Sequence, residues 1–152
     1  MEHVERNPAL QELDTLVGDW ITELSNAAFL PDPSATVRGQ TSFAWAQEGA
    51  ILVMRQGDKP PNPPAALWLI GRDETGEEYR VFYYDNRHVS RIYRMTFASR
   101  TWKMWREAPG FCQRFQCTMA EDCQSMSGFW EKSIDYGKTW EHDFDLTYRR
   151  SA

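Results

Sequence analysis

Residues 140–149 read Trp-Glu-His-Asp-Phe-Asp-Leu-Thr-Tyr-Arg, an alternation of large, mostly apolar residues with polar ones. Successive side chains of a β-strand point to opposite faces, so this alternation predicts a strand with one buried face. The buried face is predicted to carry Trp140, His142, Phe144, Leu146 and Tyr148. The solvent face is predicted to carry Glu141, Asp143, Asp145, Thr147 and Arg149.

The same period of two recurs upstream, interrupted about every ten residues by Gly, Pro, Asn and Asp. Connections such as Asp73-Glu74-Thr75-Gly76 are too short for a helical crossover, so successive strands must be antiparallel neighbours. The sequence therefore predicts an all-β fold, a closed up-and-down antiparallel β-barrel of about ten strands. The strands are predicted at residues 18–24, 36–47, 50–56, 66–72, 79–85, 89–97, 101–106, 111–119, 125–133 and 139–149.

One short helix is predicted before the barrel, at residues 8–17. Asn7 can cap it, Pro8 suits its first position, and its apolar residues recur at helical spacing. A chain of 152 residues fits one core, so we expect a single domain over residues 1–152. The proline-containing stretches 26–35 and 57–64 are predicted loops, which either rim an open mouth of the barrel or form stiff surface connections.

Several long polar side chains share the predicted inward faces with apolar residues. Arg91 alternates with Tyr93 and Met95, and Arg106 alternates with Met104. Burying unpaired charge is costly, so this pattern favours a wet cavity over a solid core. The alternative is that some strands are shifted by one residue, or that the arginines reach solvent at strand ends. The residues predicted to line a ligand cavity are Arg55, Arg91, Tyr93, Met95, Trp102, Met104, Arg106, Gln113, Phe115, Trp140, His142 and Phe144.

Gly18-Asp19-Trp20, at the start of the first predicted strand, resembles the Gly-x-Trp signature of the lipocalins. In that family an arginine of the last strand packs across the tryptophan at the closed end of the barrel. The resemblance therefore assigns Gly18, Trp20 and Arg150 to barrel closure, with the guanidinium stacked on the indole ring.

Further segments are similar to a group of uncharacterised bacterial lipocalin-like proteins of the calycin superfamily: residues 69–73, 83–87 and 135–150. This resemblance implies a calycin-type barrel, like that of the intracellular fatty-acid-binding proteins. It assigns no function, because one fold supports many functions.

Composition excludes several classes of function. The net charge is -5 and the basic residues are scattered, so no nucleic-acid partner is predicted. No apolar run is long enough to span a bilayer and the first residues are polar, so we expect a cytoplasmic protein. Cys112, Cys117 and Cys123 are expected to be free thiols, and no metal site is predicted.

Three functions are compatible with these observations. The first is binding of a small amphipathic molecule, with Arg55, Arg91 or Arg106 meeting an anionic group. The second is a cofactor-free isomerase, cyclase or lyase, with His142 as general base beside Tyr93 or Arg106. The third is a haem-binding barrel with His142 as ligand, although residues 21–24 lack the Gly-rich continuation of the nitrobindins. We expect no cofactor, and a monomer or homodimer.

Overall fold

The computed structural model describes residues 2–57 and 65–151. Within these ranges ten antiparallel strands close into a barrel in which each strand pairs with its neighbours in sequence and β1 pairs with β10. The fold prediction is therefore confirmed. The strands are β1 Gly18–Ser25, β2 Val37–Ala46, β3 Ile51–Gln56, β4 Ala66–Gly71, β5 Tyr79–Asp85, β6 Ser90–Ala98, β7 Thr101–Arg106, β8 Cys112–Met119, β9 Ser125–Ser133 and β10 Glu141–Arg150.

The predicted helix is a 3₁₀ helix at Pro8–Leu16. Residues Gln47–Gly49 join β2 to β3 in a tight turn whose three residues all have positive φ. The side chain of Asn7 accepts a hydrogen bond from the backbone N–H of Ala9 and caps the helix. The buried leucines of this helix lie three residues apart, at positions 10, 13 and 16. Because a 3₁₀ helix has three residues per turn, this spacing aligns all three leucines on one stripe against the barrel.

The N-terminal helix, the start of β1 and the end of β2 lie at the closed end of the barrel. There Trp20 is 1% exposed and its Nε1 donates to the carbonyl of Leu16. The guanidinium carbon of Arg150 lies 4.1 Å from the centroid of the Trp20 ring. Arg150 also donates to the carbonyl oxygens of Val17 at 2.8 Å and Cys123 at 3.1 Å, so it joins the helix end, β10 and the β8–β9 turn.

Gly18 makes this close approach possible. Its φ is +128°, a conformation that side-chain-bearing residues rarely adopt, and a Cβ at this position would lie 2.9 Å from Nη1 of Arg150. A layer of almost fully buried side chains fills the barrel above the closed end: Phe43, Leu52, Ile70, Val81, Met95, Trp102 and Phe115. This layer is a packed core, so any cavity must lie between it and the opposite, open end.

β10 departs from the sequence prediction in two ways. It begins at Glu141 instead of residue 139, because the backbone N–H of Thr139 bonds to the Asp135 carboxylate and extends the preceding turn. It also contains a β-bulge, since His142 pairs with Glu131 while Phe144 pairs with the next residue of β9, Trp130. The one extra residue is Asp143, and it reverses the orientation of the residues that precede it.

The loops at the open end follow β1, β3, β5, β7 and β9. Residues Phe29 and Leu30 of the β1–β2 loop contact the cavity, as does Gly57 after β3. The rest of the predicted loop 57–64 lies outside the described residues. No helix in the described part of the chain is long and apolar enough to cross a membrane.

The closed-end contacts predict different effects for two adjacent arginines. Arg150→Met removes the hydrogen bonds to backbone carbonyls and the stacking on Trp20, and should lower the free energy of unfolding by about 2 kcal/mol or more. Arg149→Met, at the exposed neighbouring position, should change it by less than about 0.5 kcal/mol. Urea unfolding followed by tryptophan fluorescence measures both; equal losses in the two variants would contradict the assigned role of Arg150.

Candidate functional site

A cavity of about 410 Å³ lies inside the open half of the barrel. Side chains from all ten strands and from the β1–β2 loop surround it. This volume is in the range of pockets that hold small organic molecules. The cavity is therefore the candidate binding site.

Aromatic side chains form much of the cavity wall. Trp68 of β4 packs against Tyr83 of β5, with ring centroids 4.5 Å apart, and against Tyr93 of β6 at 5.5 Å. Trp130 of β9 continues this wall, 5.7 Å from Tyr93 and 6.5 Å from Phe144 of β10. Large rigid rings bury much apolar area with little loss of side-chain freedom, so this wall suits the apolar body of a ligand.

Arg91 places a positive charge on the cavity wall. One of its terminal nitrogens lies 3.3 Å from Oε1 of Gln113, and its guanidinium carbon lies 5.1 Å from the centroid of Phe111. The same Gln113 oxygen accepts a 2.6 Å hydrogen bond from the Tyr93 hydroxyl. Burial raises the pKa of Tyr93, so this phenol remains a hydrogen-bond donor. Gln113, which lies on β8, thus holds the side chains of Arg91 and Tyr93 in place.

Two other arginines of the cavity wall have carboxylate partners. Arg87 bonds to Asp85 at 2.7 Å, and hydrogen bonds from Arg87 hold the pKa of Asp85 well below its usual range. Arg38 lies 3.5 Å from Glu23 on the neighbouring strand. Among the described residues, none of the ion pairs involves Arg91.

Asp143 brings a negative charge to the same cavity. It is 9% exposed, and its nearest cationic atom is Nζ of Lys132, 3.8 Å away. Burial raises the pKa of this carboxyl, while the positive charge of Lys132 opposes the rise. Desolvation of the ionised carboxylate therefore raises its pKa by more than the positive charge of Lys132 lowers it.

Polar groups also occur deeper in the cavity. The indole N–H of Trp68 donates to Oε1 of Gln56 at 2.8 Å. Thr41 lines the wall beside Gln56, and its buried hydroxyl has no partner among the described residues. Burial raises the pKa of Tyr148, which is fully enclosed at this level. These groups make the deep wall only partly apolar.

The residues predicted to line the cavity fall into four groups. Those that do line it are Arg91, Tyr93, Met104, Gln113 and Phe144. Those that lie in the packed layer beneath it are Met95, Trp102 and Phe115. Arg106 is half-buried at the end of β7 opposite Gln113, outside the cavity wall, and the residues on the outer surface are Arg55, Trp140 and His142.

The predicted inward orientation of Arg55, Trp140 and His142 is wrong. On β3 the buried residues are Leu52 and Met54, so Arg55 faces outward; the apolar run from 51 to 54 gave no alternation to fix the face. Trp140 precedes β10 and packs under Arg114, 4.1 Å from its guanidinium carbon. His142 lies 3.4 Å from Asp145 on the outer surface because the bulge reverses its orientation.

Sequence reasoning missed several cavity residues. Asp143 was predicted to face solvent, and no pattern in residues 140–149 signals the bulge that turns it inward. Trp68 and Tyr83 lie on continuously apolar or aromatic strands, where both faces look alike.

The structure does not support the predicted role of His142 as a haem ligand. The hypothesis depended on His142, which is outside, and no histidine lines the cavity in the part of the chain that the structure describes. No group of three or more His, Cys, Asp or Glu suited to a metal ion occurs among residues 2–57 and 65–151. The three cysteines are free, and burial raises the pKa of Cys117 to about 12, so its thiol is inert.

Comparison with known proteins supports the fold. Neither a protein-family model nor a curated protein sequence matches this chain. Among solved structures, the crystal structure of Rv2717c from M. tuberculosis superposes with a TM-score of 0.63 over 97% of this chain and 100% of that chain. The two sequences are 12% identical, so the similarity establishes a shared barrel architecture and nothing about function.

The raised pKa of Asp143 predicts a pH-dependent cost to stability. A carboxyl whose pKa is higher in the folded than in the unfolded state destabilises the fold increasingly as pH rises from the unfolded value of about 4 through the folded value. Asp143→Asn removes this cost. The variant should therefore gain stability relative to the wild type as pH rises from 4 to 7, measured by urea unfolding.

Asp135 provides a control of opposite sign. Hydrogen bonds from Thr139 lower its pKa to about 2, so its ionised form stabilises the fold, and this contribution is lost as pH falls through that value. Asp135→Asn should lose stability relative to the wild type as pH rises from about 2 to about 4, with little further change up to pH 7. If both variants shifted in the same direction, Asp143 would not be a desolvated carboxylate.

Proposed function

We propose that this protein binds a small amphipathic molecule in the barrel cavity, and that an anionic group of this molecule pairs with Arg91. The observation that carries the proposal is a fixed guanidinium on an otherwise largely aromatic wall, with no carboxylate partner among the described residues. A guanidinium stays charged at any accessible pH, so it needs a counter-charge or water when buried. A carboxylate, sulfonate or enolate of the ligand supplies that charge.

The position of Arg91 favours a specific contact. Gln113 and the ring of Phe111 restrict its side chain, so little conformational freedom remains to be lost when an anion binds. The planar guanidinium presents several donors in a fixed geometry that matches two oxygen atoms of one anion.

The remaining wall suits the apolar part of the ligand. Trp68, Tyr83 and Trp130 present broad ring surfaces, and Met54 and Met104 add flexible apolar contacts at the deep end. The packed layer beneath limits the depth of the cavity. A compact molecule or a moderately long chain is therefore favoured over a long lipid.

We further propose that the chain belongs with the lipocalin-like barrels of the calycin superfamily. The ten-stranded meander, the N-terminal helix beneath it and the stacking of Arg150 on Trp20 support this assignment. Proton transfer by His142 has no such support, because its side chain lies outside the barrel. Binding is therefore the function that the site favours.

Two residues of the cavity allow the proposal to be tested without a label. Trp68 and Trp130 line the site, so ligand entry should change their fluorescence. Dodecanoate should bind to the wild type, and Arg91→Met should weaken this binding roughly tenfold to a hundredfold, the cost of one charge-assisted contact. Binding of the uncharged dodecanol should change little.

Arg55→Met is the matched control, because Arg55 is an arginine on the outer surface of the barrel. It should leave the affinity for dodecanoate unchanged. Equal affinity of the wild type for dodecanoate and dodecanol, or equal loss in both arginine variants, would overturn the role of Arg91 in anion binding.

A further inference from the structure

We infer that Asp143 forms a second polar subsite in the same cavity, and that the ligand is zwitterionic, with an ammonium group for Asp143 and an anionic group for Arg91. This inference rests on the proposed function, because it concerns the same cavity and a second group of the same ligand. It adds a requirement that a simple fatty acid does not meet.

The bulge in β10 is what directs Asp143 inward. His142 and Phe144 are two residues apart on β10 but pair with adjacent residues of β9, so Asp143 is the inserted residue. As a result Asp143 and Phe144, which are consecutive, both line the cavity. Bulges are common beside binding and catalytic sites, where they redirect one side chain. A regular strand would have left this carboxylate in solvent.

The Asp143 carboxylate has more bonding capacity than the protein uses. An ionised carboxylate accepts about four hydrogen bonds. Lys132 forms an ion pair with Asp143, but its Nζ lies 3.8 Å from Oδ1, beyond hydrogen-bond length, and no described residue donates a hydrogen bond to this side chain. A buried charge in this state is costly, and a donor from a ligand would offset that cost.

The register relates the position of Asp143 to that of Gln113, whose side chain contacts Arg91. Gln113, which holds Arg91, pairs with Lys132 of β9, and Lys132 pairs with Glu141 of β10. Asp143 is therefore two strands from Gln113, a separation of about 10 Å at the usual strand spacing. It also lies slightly deeper than Gln113 along the strands.

An ammonium group fits the surroundings of Asp143 better than a neutral donor. Trp130 and Phe144 share this part of the wall, and aromatic faces attract cations. A positive charge from the ligand would also keep Asp143 ionised, whereas a hydroxyl would not compensate its charge. The ligand would then supply Arg91 with an anionic partner, and Asp143 with a hydrogen-bond donor that Lys132 does not provide.

The experiment compares fatty acids with their ω-amino derivatives by isothermal titration calorimetry. Octanoate, decanoate and dodecanoate are each paired with the ω-amino acid of the same length, so that each pair differs by one ammonium group. The amino acid of at least one length should bind the wild type about tenfold or more tightly than its partner. In Asp143→Asn this advantage should disappear, while the affinity for the plain fatty acid stays the same or rises.

Asp145→Asn is the matched control, because Asp145 lies on the same strand and bonds to Asn26 outside the cavity. It should keep the full advantage of the amino group. If fatty acids bind and the amino group gives no advantage at any length, the Asp143 subsite is overturned and the proposed function stands. If no probe of either kind binds the wild type, both proposals are overturned.

Discussion

The pairing of β1 with β10 is the constraint on which the rest of the structure depends. Six residue pairs, from Trp20 with Arg150 to Ser25 with Asp145, join the first strand to the last and remove both free edges of the sheet. The stack of Arg150 on Trp20 lies at the first of these pairs and ties the N-terminal helix to the same point. Closure gives every inward side chain a common interior, so side chains far apart in sequence can share one site.

The interior is divided into two parts with different roles. Near the closed end, aromatic and aliphatic side chains pack at close range, as in the contact of Trp102 with Phe115 at 4.8 Å between ring centroids. Burial of this layer stabilises the fold through the hydrophobic effect. Toward the mouth, longer polar side chains interrupt the packing and a cavity remains. The division explains why Met95 and Trp102 were correctly predicted to face inward but do not contact the cavity.

The charges of the cavity follow from local departures from regular structure. Arg91 lies at the beginning of β6, where the strand extends past the end of β7 and the side chain can reach Gln113 of β8. Asp143 depends on the bulge in β10. One opposite charge on each side of an aromatic wall would select ligands by the arrangement of their polar groups as well as by their apolar size.

The sequence by itself determined the period of several strands, the hairpin connections and hence the closed antiparallel barrel, because strand alternation and turn residues are local properties. The spacing of three between Leu10, Leu13 and Leu16 likewise indicated which residues form the buried face of the helix. The inward residues of β6 and β8 also followed from alternation, and Arg91, Tyr93 and Gln113 were found in this way. Only the tertiary structure decided which inward residues meet the cavity, and whether Asp143 or His142 faces it. A bulge depends on how two strands pair, and one inserted residue reverses every side chain on one side of it.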